Sequence, residues 1–100
     1  MRRGTTPVNT FSTDIDLRGF TVFVTYSQSK RTVIEKTNSE ITINEDNIIV
    51  QLTQADTLAL SDNAPVYMQI RAVDANGMAV ASNIMRTTAD AILKDGEISV

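Results

Sequence analysis

Pro65 to Arg86 constrains the fold more than any other stretch of this chain. It places two β-prone runs on either side of Asp74-Ala75-Asn76-Gly77. Asn-Gly between such runs is the strongest short-range hairpin signal a sequence offers, and both residues tolerate the positive φ of a type I′ turn. In the first run Val66, Met68, Ile70 and Ala72 alternate with Tyr67, Gln69, Arg71 and Val73. That period of two predicts one buried and one outward, mixed face.

The remaining punctuation extends the same pattern. Met1 to Pro7 shows no periodicity and reads as a flexible N-terminal arm (residues 1–7) before a single domain over 8–100, a length that supports one core. Val8 to Thr13 reads as an edge strand anchored by Phe11, and Phe20 to Ser27 as a strand with Phe20, Val22, Val24 and Tyr26 on one face. After a polar turn at Gln28 to Arg31, Thr32 to Lys36 is a short third strand. Ile41 to Ile43 and Ile48 to Leu52 bracket the turn-rich Asn44-Glu45-Asp46-Asn47.

Thr53 followed three residues later by Asp56 is a capping-box variant, which predicts one short helical turn near 53–60 carrying the chain between sheets. Thr87 to Lys94 fits either a capped helix or a continuing strand. The expectation is an all-β fold: an antiparallel two-sheet immunoglobulin-like sandwich of about seven strands, without the Cys…Trp…Cys core of true immunoglobulin domains.

Composition removes whole classes of chemistry. The chain has no Cys and no His, which takes away the usual general base, the Ser-His-Asp and Cys-His arrangements, and the commonest zinc ligand. Carboxylate pairs such as Asp14/Asp16 and Glu45/Asp46 lie in turns, where solvation explains them better than a cleft for sugar hydrolysis. The reading is a non-enzyme without catalytic, metal or cofactor-binding residues.

Asn44 to Asn47, Asp62-Asn63 and Asp74 to Asn76 do not match calcium-loop spacing and read as turn chemistry. A net charge of −3 argues against nucleic acid, and no apolar run nears the roughly 18 residues of a membrane span. The start of the chain lacks the apolar core of a signal peptide, so the expectation is a protein made and kept soluble in the cytoplasm, or exported by a route unrelated to a signal sequence.

Residues 37–70 hold five acidic residues and no Lys or Arg, a solvated face or one half of a charge-matched contact. The candidate interaction residues are Gln69 and Arg71 on the outward face of the hairpin, with Arg2 and Arg3 on the arm. Of five aromatics, Phe23 and Tyr67 are the two whose exposure would betray a binding platform.

Five segments occur in a telling order: Arg3 to Pro7 (Arg-Gly-Thr-Thr-Pro), Leu52-Thr53-Gln54-x-x-Thr57-Leu58, Gln69-Ile70-Arg71, Ala81-Ser82-Asn83-Ile84 and Ile92 to Gly96. Together they resemble small phage and prophage proteins of Gram-positive bacteria and their gut relatives. More loosely, they are similar to the immunoglobulin-like N-terminal domain of phage baseplate upper proteins. The chain departs from the latter in reaching Val100 without a following coiled coil or receptor-binding module. The resemblance implies a virion protein of tail or baseplate, assembled in the host bacterial cytoplasm. Its partners would be other virion or assembly proteins, or further copies of itself as a homo-oligomer. A carbohydrate- or peptide-binding module at a host-facing surface is the alternative.

Overall fold

In the computed structural model, which describes residues 1–100, the hairpin forms but closes differently from the sequence expectation. Only Gly77 takes a positive φ (+82°), so the turn is not type I′. The Asp74 carboxylate accepts the N–H groups of Asn76 and Met78, both at 2.9 Å. Gly77 N–H reaches Asp74 O at 3.1 Å, and Asp74 N–H bonds Met78 O at 3.0 Å. The aspartate thereby favours a type I turn with a glycine bulge, a three-residue loop.

The consecutive positive φ angles of a type I′ turn occur instead at Ser29 (51°) and Lys30 (64°), between β2 (Thr21–Gln28) and β3 (Arg31–Thr37). Neither residue is one that the left-handed region favours. Lys30→Gly is expected to raise unfolding free energy by about 0.5–1 kcal/mol, since relief of left-handed strain outweighs the added chain entropy. Urea denaturation checks this; a lower midpoint at unchanged slope contradicts it.

Two antiparallel sheets face each other. One has the order β1 (Val8–Ser12), β5 (Asn47–Gln51), β4 (Thr42–Ile43). The other runs β3, β2, β6 (Pro65–Val73), then β7 (Ala79–Ala81) and β8 (Met85–Thr88) along the same edge of β6. Taking β7 and β8 as one interrupted lane gives seven lanes. Their order corresponds to the B-E-D and C′-C-F-G sheets of the immunoglobulin pattern, so the chain is an immunoglobulin-like sandwich. Inward residues Val22, Val24 and Tyr26 of β2, Ile48 and Val50 of β5, and Val66, Ile70 and Ala72 of β6 make the core with Phe11, Leu52 and Leu60.

The crossing turn is α1 (Gln54–Leu58), and its cap matches expectation. Thr53 Oγ1 accepts Asp56 N–H at 3.1 Å, and Asp56 Oδ2 accepts Thr53 N–H at 2.8 Å. A single 3₁₀ turn, Asn38–Glu40, follows β3. Residues 87–94 hold no helix. Thr87 and Thr88 are committed to the ladder opposite Val66 and Pro65, and regular structure ends there apart from a bridge at Asp90.

The N-terminal segment corrects a second expectation, because residues 1–7 pack against the domain instead of hanging free. Arg2 forms a parallel bridge with Asp90, and Arg3 N–H donates to Asp90 O at 3.0 Å. The Arg3 guanidinium donates to Leu60 O at 2.7 Å and Leu58 O at 2.9 Å, satisfying carbonyls at the end of α1 that the short helix leaves open. Those acceptors are the physical reason the segment is seated.

Candidate interaction surface

The outward face of the five-stranded sheet is built by register. On β2, Phe23 lies opposite Arg71 of β6 and Thr37 of β3, and Thr25 lies opposite Gln69 and Glu35. Ser27 faces Tyr67, which in turn faces Arg86 of β8. Because side chains alternate along each strand, Phe23, Thr25, Glu35, Tyr67, Gln69 and Arg71 share this surface. Tyr67 (40% exposed), Phe23 (37%) and Ile84 (65%) bring apolar area to it.

The charged groups of this face are uncommitted. Ion pairs in the chain join Met1 to Asp90, Arg3 to Asp95, Arg18 to Asp16, and Lys36 to both Glu40 and Asp56. Neither Glu35 nor Arg71 is among them, and both are exposed. Two shallow hollows flank them. One, of about 250 Å³, lies among Phe23, Thr25, Glu35 and Arg71. The other, of about 260 Å³, lies among Tyr67, Gln69, Arg71 and Ile84. Both fall below the roughly 300–1,000 Å³ of small-molecule sites, so the face suits a broad contact better than an engulfed ligand.

The structure separates the four residues singled out from sequence. Arg71 stands free on the sheet face. Gln69 is half-buried, its amide donating to Ser82 O at 3.0 Å. Arg2 and Arg3 lie away from this face, spent on backbone carbonyls: Arg2 on Ala91 O at 2.8 Å, Arg3 on Leu58 and Leu60. Glu35 was not singled out, although the alternation of β3 opposite Thr25 places it outward.

The five resemblance segments collect into two clusters. Arg3 to Pro7, Leu52 to Leu58 and Ile92 to Gly96 meet around α1. The Thr57 hydroxyl donates to Thr5 O at 2.8 Å, Leu52 N–H bonds Pro7 O at 3.0 Å, and a Cβ on Gly4 would come within 3.0 Å of Ile92 Cδ1. The second cluster is the bulge between β7 and β8. Three steps on β6, Met68 to Arg71, oppose four from Ala81 to Met85. Ser82 fills the gap: its Oγ accepts Ile70 N–H at 2.9 Å, and its own N–H donates to Ile70 O at 2.8 Å. Packing thus accounts for most of the motif residues and leaves Arg71 and Ile84 displayed on the face.

A larger cavity of about 510 Å³ opens at the seam between the sheets, where β1 is an edge. Phe11, Leu17, Ile70, Val80 and Met85 line it, and the Thr13 hydroxyl beside it is buried without a partner. The turn-rich Asn and Asp groups bond within their own turns, as Asn44 Nδ2 does to Asn47 Oδ1 at 2.8 Å.

No protein-family model and no curated protein matches this chain. Among solved structures, the V domain of amphioxus IgVJ-C2 is similar at 12% identity, covering 92% of this chain and 97% of that one, with a TM-score of 0.37. The immunoglobulin-like assignment rests on the strand order and register described above.

Proposed function

We propose that this chain is a non-enzymatic structural or assembly protein of a phage or prophage virion, of the tail or baseplate. It would work through protein–protein contacts made by the outward face of its five-stranded sheet. One observation carries the contact surface. Arg71 and Ile84, from segments that resemble phage proteins, are displayed beside Phe23 and Tyr67 with no intramolecular role for the arginine. Aromatic residues and arginine are what protein interfaces enrich at their centres.

Particles induced from a host carrying the gene provide the test. The chain is expected in purified virions by mass spectrometry, with immunogold label on the tail. Its absence from both particles and tail-assembly intermediates overturns the reading.

The seam cavity favours a second reading, a peptide-binding module in which an extended segment adds to the β1 edge and seats apolar side chains beside Phe11 and Met85. Protection of β1 amides from hydrogen exchange by a bound virion peptide would support it. A glycan array with hits that Tyr67→Ala abolishes would favour carbohydrate instead.

A further inference from the structure

We infer that the partner of the outward sheet face is a second copy of this chain, docked face to face through a two-fold contact in which Arg71 of each copy meets Glu35 of the other. This pairing rests on the interaction role proposed above for that face. The argument is the placement of charge. Glu35 on β3 and Arg71 on β6 flank β2 from opposite sides and sit in adjacent rows, Glu35 beside Thr25 and Arg71 beside Phe23. Neither has an ion-pair partner within its own chain, and both are exposed.

A two-fold axis lying in the plane between two such faces, crossing β2 between Phe23 and Thr25, exchanges the Arg71 and Glu35 positions. Both opposite-charge pairs then form at once, as an isologous interface requires. The same axis runs close to Phe23, so the two Phe23 rings, exposed in the single chain, come together at the centre. An aromatic pair at the centre with charge pairs around it is the usual anatomy of a protein contact. An unrelated acidic partner would satisfy Arg71 but leave Glu35 facing its own kind; a second copy satisfies both.

Sedimentation equilibrium on the whole chain reads this directly, with circular dichroism and melting temperature confirming that each variant folds. The wild type is expected to dimerise reversibly. Arg71→Glu and Glu35→Arg should each weaken the dimer about tenfold or more, because each single reversal sets like charges opposite one another twice. An equimolar mixture of the two variants should recover dimer, since Glu at 71 of one copy then meets Arg at 35 of the other and the second pair is native.

A wild type that stays monomeric at every concentration overturns the pairing. So does a dimer indifferent to the single reversals, or a mixture that fails to re-associate. The two readings fail separately. A monomer that is nonetheless incorporated into particles removes the self-pairing alone. A charge-dependent dimer absent from particles and tail intermediates removes the virion role alone.

Discussion

Tyr26→Ala is expected to lower the unfolding free energy by about 3–5 kcal/mol, the range for truncating a buried aromatic, out of a total of about 5–15 kcal/mol for a domain of this kind. Tyr26 is fully buried on β2, and its hydroxyl donates to Asn9 Oδ1 of β1 at 2.8 Å, tying one sheet to the other. Removing the ring empties the centre of the core and cuts that tie. Tyr26→Phe keeps the volume and should cost only about 1 kcal/mol for the lost hydrogen bond, so the two variants separate packing from polarity. Urea titrations of both decide the matter, and equal losses would contradict it.

The same side chain sets an alkaline limit. Burial first, then the negative charge of Asp56, push the phenol above its usual range. A group whose folded value is raised gives stability that is present below its unfolded pKa and lost as pH rises. The loss should therefore begin above about pH 10.

The second large effect lies at Asp56, where two roles converge. Its carboxylate accepts Thr53 N–H at 2.8 Å, closing the α1 cap, and receives the Lys36 amine at 2.9 Å. Lys36 stems from β3, and only 14% of its side chain is exposed, against 18% for Asp56, so this ion pair bridges β3 and the crossing turn in poor contact with water. Asp56→Ala is expected to cost about 2–3 kcal/mol: about one for the cap, the rest for stranding a poorly hydrated ammonium. Glu40, 3.8 Å from the Lys36 amine, keeps that charge from being left wholly alone.

Lys36→Met together with Asp56→Asn should cost less than the sum of the two single changes, a coupling of about 1 kcal/mol in a double-mutant cycle. Additive losses would show that the two groups do not cooperate.

Acid provides an independent reading of the same pair. Desolvation acts to raise the Asp56 carboxyl, but the Thr53 N–H and the Lys36 amine outweigh it, and its pKa falls below the ordinary carboxylate value. A depressed folded value means stability that is full above the unfolded pKa, about 3.9, and lost as pH drops through the folded one. Acid titration of the wild type should show this loss below about pH 4, and Asp56→Asn should lack that component. Identical acid profiles would assign the loss elsewhere.

What the sequence made legible follows from the range of the interactions involved. The alternation of Val66 to Val73 and of Phe20 to Ser27, and the Thr53–Asp56 box, are local, and each element formed within a residue or two of its expected place. The type I′ turn expected at Asn76-Gly77 does not form, because side-chain bonds decide that loop. Asp74 draws its loop into type I geometry, and the consecutive left-handed pair falls instead at Ser29-Lys30.

The seating of Arg3 depended on carbonyls more than fifty residues away, which no pattern around residue 3 announces. Gln28 is similar. It reads as part of a polar turn, yet it is buried, donating to Ser61 O and Ala64 O and accepting Ser61 N–H. At the candidate surface, Gln69 and Arg71 share a sequence pattern but not a fate, since the bulge at Ser82 engages one amide and leaves the guanidinium free. Glu35 became visible only when the β2–β3 register set it beside Thr25.

The parallel bridge between Arg2 and Asp90 also has a mechanical meaning. Arg3 N–H to Asp90 O and Asp90 N–H to Met1 O, at 3.0 and 2.7 Å, join two segments that run in the same direction. Tension drawn outward along the N-terminal segment and along the chain beyond Asp90 therefore pulls the two past each other. Both bonds are loaded together, in shear, and the guanidinium of Arg3 on the end of α1 shares the strain. A hairpin opened from its end gives way one bond at a time; this seam must yield all at once, so it holds the sandwich shut like a latch against a stretching load.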